Sequence, residues 1–418
     1  MRIAIVGSGV SGLVCAHLLR RRHDVTLYES DARAGGHAHT VDVTLDGVEH
    51  AIDTGFIVYN ERNYPILTDL FAELGVVTRP SDMSFAVADD AADVEWCGTS
   101  VRTVFSQWRN LARPRFLGML SDIRRFNRCA RRLLEEPENV GYTLEEFLEA
   151  GDYGAAFVEW YLVPMGAAIW SANPAEFLKF PAAAFIRFFD NHGLLGLRDR
   201  PQWRTVRGGS RRYVEAITAS LGTGLRLSTP VRAVSRLAGG VAVTTDAGRE
   251  TFDHVIMATH ADQALALIES PLAVESEVLS AIRFCANEAT LHTDGRLMPR
   301  RPRAHASWNW RNQRGASAAT LTYDLTRLEG LDTPRPVYLT LNQTGAVDPA
   351  QVLARMTYRH PVFDSAALSA QRRHGEISGR DRISFVGAYW GYGFHEDGAR
   401  SAVAVCRSLE TSVPEEVS

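Results

Sequence analysis

The first thirty residues switch twice between the hydrophobic patterns of a strand and a helix. Residues 3–6, Ile-Ala-Ile-Val, are continuously apolar, which is typical of a strand buried on both faces. Between residues 13 and 19 the apolar positions recur at the spacing of an amphipathic helix. Residues 24–29 then form a second strand-like run that ends at Glu29. The pattern predicts a β–α–β unit at the start of the chain.

Two later segments repeat strand patterns, and the long stretches between them do not. Residues 223–261 alternate as strands joined by turns, and residues 382–405 begin as a buried strand and end as a helix. The first long insertion is largely helical, and the second contains strand-like runs. We predict an α/β fold with a discontinuous nucleotide-binding domain and an inserted α+β substrate domain. The predicted segments are 1–59, 203–262 and 378–418 for the first domain, and 60–202 and 263–377 for the second.

Composition narrows the class of protein without identifying it. The chain has 418 residues, enough for two or three domains, and its 45% apolar and 22% charged residues are typical of a globular protein in water. The net charge of −4 gives no overall attraction to nucleic acid, so we expect no such partner. The five cysteines lack disulfide or metal-ligand spacing, and the chain starts with a strand pattern rather than a signal peptide. We expect a cytoplasmic protein without a metal site.

Three glycines follow the first strand at the spacing G-x-G-x-x-G. Gly7 permits the tight turn, Gly9 lets a phosphate approach the backbone, and Gly12 allows helix and strand to pack closely. The helix N-terminus supplies N–H groups to the phosphates, and Glu29 is placed to accept hydrogen bonds from an adenosine ribose. For the glycines alone, a tight turn without a ligand is the alternative. Because strand, helix, second strand and terminal acid are in register, the segment predicts dinucleotide binding.

The residues after the second strand favour FAD over NAD. Arg33, Gly35 and Gly36 form R-x-G-G, and residues 53–55 form D-x-G. This order resembles the start of the FAD-binding domain in the flavin amine oxidase and phytoene desaturase superfamily. The resemblance implies a Rossmann-like FAD-binding domain of the GR2 type. We expect the FAD to be held without a covalent bond, because no cysteine lies in residues 387–395. The FAD contacts it implies are Gly7, Gly9, Ser11, Gly12, Glu29, Ser30, Arg33, Gly36, His37, Gly55, Phe56, Ile57, Val231, Ala258, Gly387, Asp397, Gly398 and Ser401.

Two positions depart from the superfamily pattern. His37 stands where relatives usually have Arg or Lys, which removes the usual charge from a phosphate or ribitol contact. Ala388 stands where many relatives carry an acid, and Glu396 or Asp397 is the candidate to contact the ribitol instead. The closing helix is expected to aim its N-terminus at the ribitol and pyrophosphate, with Gly398 allowing a close backbone approach.

The loop before that helix is unusually aromatic. Tyr389, Trp390 and Phe394 either face the flavin ring and keep the site dry, or cover the end of a sheet as core residues. His395 and Glu396 form either an acid–base pair or simply the start of the helix. The candidate catalytic residues are therefore His395, Glu396 and Tyr389.

The middle of the chain is similar to one branch of the superfamily, which comprises bacterial FAD-binding proteins and the oxidase-like N-terminal half of plant cyclopropane fatty acid synthases. The shared motifs include "GFIVYNERNYPILTDLFAELGV", "NHGLL" and "SWNW", whereas "YDLTRLEGL" diverges from the branch. The branch implies a fatty acyl substrate, on a phospholipid, and a lipid methyltransferase as partner. The many Phe, Leu and Trp residues suit an apolar tunnel and equally an ordinary core.

The leading hypothesis for the reaction is oxidation of an apolar substrate, with hydride transfer from a C–H bond to flavin N5. For an acyl chain the product gains a C=C bond. Amine oxidation is the weaker hypothesis, because many amine oxidases rely on a lysine near N5 and the one lysine, Lys179, lies in a helical insertion. Redox-neutral double-bond isomerisation is a further hypothesis, and so is a non-catalytic role as the FAD-holding partner of a methyltransferase.

Residues 102–132 combine nine arginines and one aspartate with several large apolar side chains. This composition is typical of a segment lying in an anionic membrane interface, which would make the protein peripheral at the inner membrane face. The alternative is a solvated helix whose apolar side faces the core. Both interpretations stay open at the level of sequence.

Overall fold

The computed structural model describes residues 1–135, 141–196, 200–312 and 320–411. The strands, in chain order, are β1 (Arg2–Val6), β2 (Asp24–Tyr28), β3 (Thr40–Leu45), β4 (Val48–Asp53), β5 (Tyr59–Asn60), β6 (Thr78–Pro80), β7 (Phe85–Asp89), β8 (Val94–Cys97), β9 (Trp203–Val206), β10 (Leu225–Arg226), β11 (Val231–Leu237), β12 (Gly240–Thr245), β13 (Gly248–Phe252), β14 (His254–Met257), β15 (Phe284–His292), β16 (Trp308–Asn312), β17 (Leu321–Asp324), β18 (Tyr338–Leu341), β19 (Val352–Pro361) and β20 (Ile383–Phe385).

The helices, in the same order, are α1 (Val10–Leu19), α2 (Pro65–Glu73), α3 (Val101–Val104), α4 (Pro114–Glu135), α5 (Leu144–Ala150), α6 (Ala155–Phe157), α7 (Val163–Trp170), α8 (Pro174–Phe177), α9 (Ala182–Asn191), α10 (Arg211–Thr218), α11 (Ala261–Leu267), α12 (Ala273–Ser280), α13 (Leu325–Glu329), α14 (Ser365–Arg372), α15 (His374–Ile377) and α16 (His395–Thr411). A π-helical segment, Val158–Leu162, joins α6 to α7.

A five-stranded parallel sheet in the order β10-β2-β1-β14-β20 forms the nucleotide-binding half. Its central strand, β1, pairs in register with β2 and β14. The predicted β–α–β unit is confirmed, and residues 3–6 are buried as their continuous apolar run requires. All five strands come from the segments 1–59, 203–262 and 378–411, and residues 412–418 of the predicted domain lie outside the described part of the chain.

Helices and a small second sheet cover the two faces of the parallel sheet. On one face α1 packs against α16, α2 and α10 around a core that includes Leu13, Ala399 and Tyr213. On the other face lie the antiparallel sheet β11-β12-β13 and the helices α11 and α12. Both faces of the sheet are therefore buried. The carboxyl ends of its strands remain uncovered at one edge, where ligands bind in such folds.

The other half is a seven-stranded sheet in the order β19-β15-β18-β17-β16-β7-β8, packed against α4–α9. All neighbouring pairs are antiparallel except β16 and β7. The insertion predicted to be largely helical contains α4 to α9, within residues 114–135 and 144–191. Its short apolar runs at β7 and β8 instead pair as a hairpin and extend this sheet. In the described part of the chain, no helix has the length and apolarity needed to cross a bilayer.

Candidate functional site

One continuous cavity of about 1520 Å³ links the two halves. At one end it is lined by residues 6–11 and 28–31, at the carboxyl edge of the parallel sheet. At the other end it enters a chamber lined by aromatic side chains, among them Trp170, Phe188 and Phe394. The volume exceeds the range usual for small-ligand sites, so the cavity is large enough for a cofactor and a second molecule together.

The glycines of the first turn have different surroundings. Gly7 has a φ of 103°, and a Cβ atom there would lie 2.8 Å from the carbonyl oxygen of Ala258. A Cβ on Gly12 would lie 2.0 Å from the Gly7 carbonyl oxygen, so Gly12 is required for packing and does not line the cavity. A Cβ on Gly9 would have no neighbouring atom within 4 Å, and Gly9 borders the cavity. Its backbone is therefore open to a phosphate, which is the function that the motif predicts for it.

Glu29 lies at the same end and is held by the turn. Its carboxylate accepts hydrogen bonds from the Ser8 amide (3.0 Å), the Ser8 hydroxyl and the Asp31 amide (3.0 Å). Ser8 is buried, and its hydroxyl also accepts from the Gly35 amide (3.1 Å). Ser8 joins the two glycine turns and was missed by sequence reasoning, because it occupies a variable position of the motif. Ser11 and Ser30 also line the cavity.

The double-glycine turn packs directly on the first turn. Arg33 donates to the Gly36 carbonyl oxygen (2.9 Å), and its side chain adds a positive charge to this end of the cavity. A Cβ on Gly36 would lie 3.1 Å from the Gly9 Cα, so the two backbones are in contact. Together these residues form a cradle of amides and one guanidinium that fits a pyrophosphate.

His37 belongs to a group of partly buried imidazoles that line the cavity. Its ring centroid lies 5.4 Å from that of His360, 6.2 Å from that of His260 and 5.1 Å from that of Tyr358, and all four side chains line the cavity. Burial, and then the neighbouring imidazoles, hold the pKa of His37 well below its usual range. Burial lowers the pKa of His260 and of His360 to about 4.

These histidines are therefore uncharged at neutral pH. Nε2 of His37 and Nδ1 of His260 are buried and have no hydrogen-bond partner among the described residues. They offer neutral donors or acceptors where relatives supply a charge. His260 and His360 were missed because more than two hundred residues separate them from His37, and only the fold brings them together. No His, Cys, Asp or Glu cluster within the described ranges is arranged to hold a metal ion.

The D-x-G segment runs beside the double-glycine turn. The Phe56 amide donates to the His37 carbonyl oxygen (2.8 Å), and a Cβ on Gly55 would lie only 2.1 Å from that oxygen. Gly55, Phe56 and Ile57 all line the cavity. The Phe56 ring stacks on His395 with centroids 3.8 Å apart and an interplanar angle of 14°. This stack stands where the nucleotide end meets the aromatic chamber.

His395 and Glu396 do not form an acid–base pair. His395 lines the cavity, and burial lowers its pKa to about 3, so the ring is neutral. The Glu396 carboxylate instead accepts hydrogen bonds from the amides of Ile66 (3.0 Å) and Leu67 (3.1 Å), in the first turn of α2. It turns away from the cavity because those two amides have no partner within their own helix.

Three residues of α16 that were predicted to contact the cofactor make contacts within the protein. Asp397 accepts from the amides of Tyr392 (3.0 Å) and Phe394 (3.1 Å), which fixes the aromatic loop. A Cβ on Gly398 would lie 2.7 Å from a methyl group of Val10, so its close approach is to α1 rather than to a cofactor. Ser401 accepts from the Gly387 amide (2.9 Å). None of the three lines the cavity, and Glu396 does not line it either.

The sequence left two interpretations of the aromatic loop open, and each holds for different residues of the loop. Tyr389 and Trp390 pack with the core on the far face of the parallel sheet, although Tyr389 also borders the cavity. Tyr392 and Phe394 pack with the large aromatic core and line the chamber. The remaining predicted contacts, Val231, Ala258 and Gly387, line the nucleotide end.

The chamber beyond Phe56 is lined mainly by aromatic and aliphatic side chains, together with uncharged polar residues such as Ser171 and His192. The carboxylates among the described lining residues are Glu29 and Asp31 at the nucleotide end and Asp82, which is exposed at the opposite opening. Arg124 and Arg200 are exposed at that opening too. Lys179 is paired with Glu176 on the surface, and neither it nor any of the five cysteines lines the cavity. In the part of the chain that the structure describes, the site has no lysine for an amine oxidase mechanism and no thiol for a covalent flavin bond.

Comparison with known proteins identifies the family of the chain. Residues 10–339 match the family described as flavin containing amine oxidoreductase. A putative flavin-containing monoamine oxidase, AofH, from Mycobacterium tuberculosis is 26% identical over 297 residues, which are 66% of this chain and 61% of that protein. The match thus spans less than two thirds of that relative.

Two solved structures share the fold along nearly the whole chain. A putative protoporphyrinogen oxidase from Exiguobacterium sp. 255-15 has a TM-score of 0.70 and 19% identity and covers 99% of both chains. A CLA-producing fatty acid isomerase from P. acnes has a TM-score of 0.70 and 14% identity, covering 97% of this chain and 98% of that one. At such identities the likeness establishes the fold alone.

Proposed function

The chain belongs to the flavin containing amine oxidoreductase family, and we propose that it is an FAD-dependent oxidoreductase whose substrate is the fatty acyl chain of a lipid. One observation carries the proposal. The chamber that opens from the nucleotide end is lined mainly by aromatic and aliphatic side chains, with uncharged polar residues such as Ser171 and His192 but no carboxylate among its described residues between Phe56 and the opening. A protonated amine would enter it without a counter-charge, at a large desolvation cost.

The opening of the chamber supports the same substrate class. Arg124 and Arg200 are exposed there, with Asp82 as the one carboxylate of the described lining at that end. A phosphate or carboxylate headgroup would therefore stay at the opening, paired with guanidinium groups, while its acyl chain fills the apolar interior. An amine headgroup would meet mainly like charge at the same place.

The residues at the nucleotide end suit FAD. The open backbone at Gly9 and the guanidinium of Arg33 would hold the pyrophosphate, and Glu29 the adenosine ribose. When bound, FAD supplies the two-electron acceptor for the oxidation. The net change in the substrate is the loss of two hydrogens from neighbouring carbons and the gain of a C=C bond.

The described side chains mainly position the substrate and exclude water. Trp170, Phe188 and Phe394 pack together, with 5.1 Å between the ring centroids of Phe188 and Phe394. We propose that His395, neutral and stacked on Phe56, borders the reacting carbons, and that Tyr389, packed edge-on against Phe284, transfers no proton. Excluding water from the reacting carbons prevents side reactions of the oxidised carbon.

The test is an anaerobic titration of the purified yellow protein. A phosphatidylglycerol lipid should bleach the flavin absorbance and yield an acyl chain with one additional C=C bond, whereas putrescine should leave the spectrum unchanged. Bleaching by the amine and not by the lipid would contradict the proposal. A product with a moved double bond and no net bleaching would replace oxidation by isomerisation on the same substrate.

A further inference from the structure

Residues 101–128, which we call the arginine segment, carry several exposed apolar side chains. They lie beside the opening of the aromatic chamber. Of the segment's side chains, Trp108 is 82% exposed, Val101 77%, Leu111 57% and Leu117 42%. Isolated exposed apolar residues are ordinary, but four large ones so close together along the chain form a patch that water does not favour.

The arginine segment also forms one wall of the cavity. Val101, Val104 and Phe105 line the cavity from α3 and the residue after it, and Leu120 and Ile123 line it from α4. Because Val101 is both largely exposed and part of the lining, the cavity opens to solvent at this point. The exposed patch and the entrance to the chamber are therefore the same region of the surface.

The charges of the segment fall into two groups. Arg109 and Arg113 contact Asp93, Arg115 pairs with Glu159 at 3.2 Å, and Arg125 pairs with Asp122 at 2.9 Å. These four arginines are compensated within the protein, so they are not the ones that an external anion would meet first.

A second group of arginines has no such partner. Arg102, Arg124 and Arg128 are exposed, and no carboxylate in the described ranges pairs with them. Arg124 and Arg128 follow Leu117 at positions i+7 and i+11 of α4 and thus share its face of the helix. The opposite face carries Phe116, Met119 and Phe126, which are fully buried. The helix thus presents apolar and cationic side chains outward together while its other side anchors it in the core.

We infer that the arginine segment docks the entrance of the chamber on an anionic lipid bilayer. Trp108, Leu111 and Leu117 enter the interfacial layer, where Trp is favoured, and Arg102, Arg124 and Arg128 meet lipid phosphates. An acyl chain then passes from the bilayer into the chamber without crossing water. This inference rests on the proposed lipid substrate and adds how the substrate reaches the site.

The experiment is sedimentation of the flavin-loaded protein with two kinds of vesicle. One is phosphatidylcholine alone, and the other contains about 30% phosphatidylglycerol, which gives the surface a negative charge like that of an anionic bilayer. The wild type should pellet with the anionic vesicles and much less with the neutral ones, and added salt should release it. The variant W108S/L111S/L117S should lose at least about fivefold of its bound fraction, because each side chain contributes buried apolar area.

The chain offers a matched control. Val48, Val77 and Leu237 are 57%, 60% and 42% exposed, so V48S/V77S/L237S removes three exposed apolar side chains outside the segment. For charge, R102E/R124E/R128E is compared with R249E/R380E/R407E, which alters three exposed arginines outside the segment. Only the variants within the segment should lose vesicle binding, with unchanged flavin content.

The inference is overturned if the segment variants bind anionic vesicles as tightly as the wild type does. It is also overturned if the variants change only self-association, measured by light scattering, because the patch would then bind a second copy of the chain. A fatty acid added in free solution separates this failure from that of the proposed function. If the free fatty acid bleaches the flavin and the variants still bind vesicles normally, only the docking proposal is contradicted. If vesicle binding depends on the segment but no acyl compound bleaches the flavin, the proposed lipid substrate is contradicted instead.

Discussion

Gly7 and Gly9 stand two residues apart and meet opposite constraints. Gly7 has a left-handed φ and a carbonyl oxygen where its Cβ would lie, whereas Gly9 has an ordinary φ of −62° and open space. The first glycine is required by the chain itself, and the second only by what occupies the cavity. The two can therefore be separated by experiment.

Gly9→Ala should leave the stability of the flavin-free protein unchanged and weaken FAD binding at least about tenfold, or about 1.4 kcal/mol, because the added methyl group intrudes on the phosphate position. Gly7→Ala should instead lower the free energy of unfolding by about 1–3 kcal/mol through backbone strain. Urea unfolding and fluorescence titration with FAD measure the two effects. Equal FAD affinity of Gly9→Ala and the wild type would contradict the assigned cradle.

His395 gives a second prediction at the residue scale. Its folded-state pKa of about 3 lies below the unfolded value of 6.5, so the unfolded chain binds more protons as pH falls and stability is lost below pH 6.5. Between pH 7 and pH 5 this single group should cost about 2 kcal/mol. His395→Gln removes the term, so the stability difference between variant and wild type should shift by that amount in favour of the variant. Urea denaturation at both pH values checks it, and a constant difference would contradict the buried neutral ring.

At the scale of elements, α2 depends on a residue more than three hundred positions away. Tyr64 at its N-cap provides no side-chain hydrogen bond, and Glu396 of α16 accepts from the amides of the second and third helical residues. A carboxylate at a helix N-terminus satisfies two unpaired donors and opposes the positive end of the dipole. The contact fixes α2 against the helix that closes the FAD-binding half.

Glu396→Gln should therefore destabilise the fold by about 1–2 kcal/mol, since one of the two amides loses its acceptor. The flavin spectrum and the FAD affinity should not change, because the carboxylate does not line the cavity. Thermal unfolding and FAD titration test both parts. A large loss of FAD affinity with intact stability would restore the ribitol contact that the sequence suggested.

At the scale of the whole molecule, two buried acids join the halves. Asp53 at the end of β4 accepts from Thr40 (2.6 Å) and from the Ser210 hydroxyl (2.7 Å), and its own amide donates to Glu329 of α13 (3.0 Å). Burial raises the pKa of Asp53 to about 6, and burial with the nearby Asp53 raises the pKa of Glu329 well above its usual value. The junction between the two halves is thus sensitive to pH.

For Glu329 the folded-state pKa is raised, so the folded protein holds the proton more tightly and stability falls as pH rises above the unfolded value of about 4.5. The loss is about 1.4 kcal/mol per pH unit until the folded-state pKa is reached. Glu329→Gln lacks this term, so its stability relative to the wild type should increase between about pH 4.5 and pH 6. Calorimetry of both proteins across this range measures it, and a decreasing difference would contradict a protonated buried Glu329.

Much of the nucleotide end was predictable from sequence, because its constraints are local. The spacing of Gly7, Gly9 and Gly12, the continuous apolar run of β1 and the acid after β2 each follow from one short segment. Ser8 and the histidines around His37 were not predictable, because hydrogen bonds and ring contacts between distant segments carry no sequence spacing. The same reason explains why the contacts that Glu396, Asp397, Gly398 and Ser401 make within the protein were not predictable.

The sequence by itself determined the parallel sheet, the flavin family and the position of the phosphate turn, since periodicity and glycine conformation act within a few residues. Tertiary structure alone decided which face of the aromatic loop meets the core and which meets the chamber. It also decided which arginines of residues 101–128 are paired with acids and which face outward. Such choices depend on which surfaces a folded chain buries against each other, and burial is a property of the whole molecule.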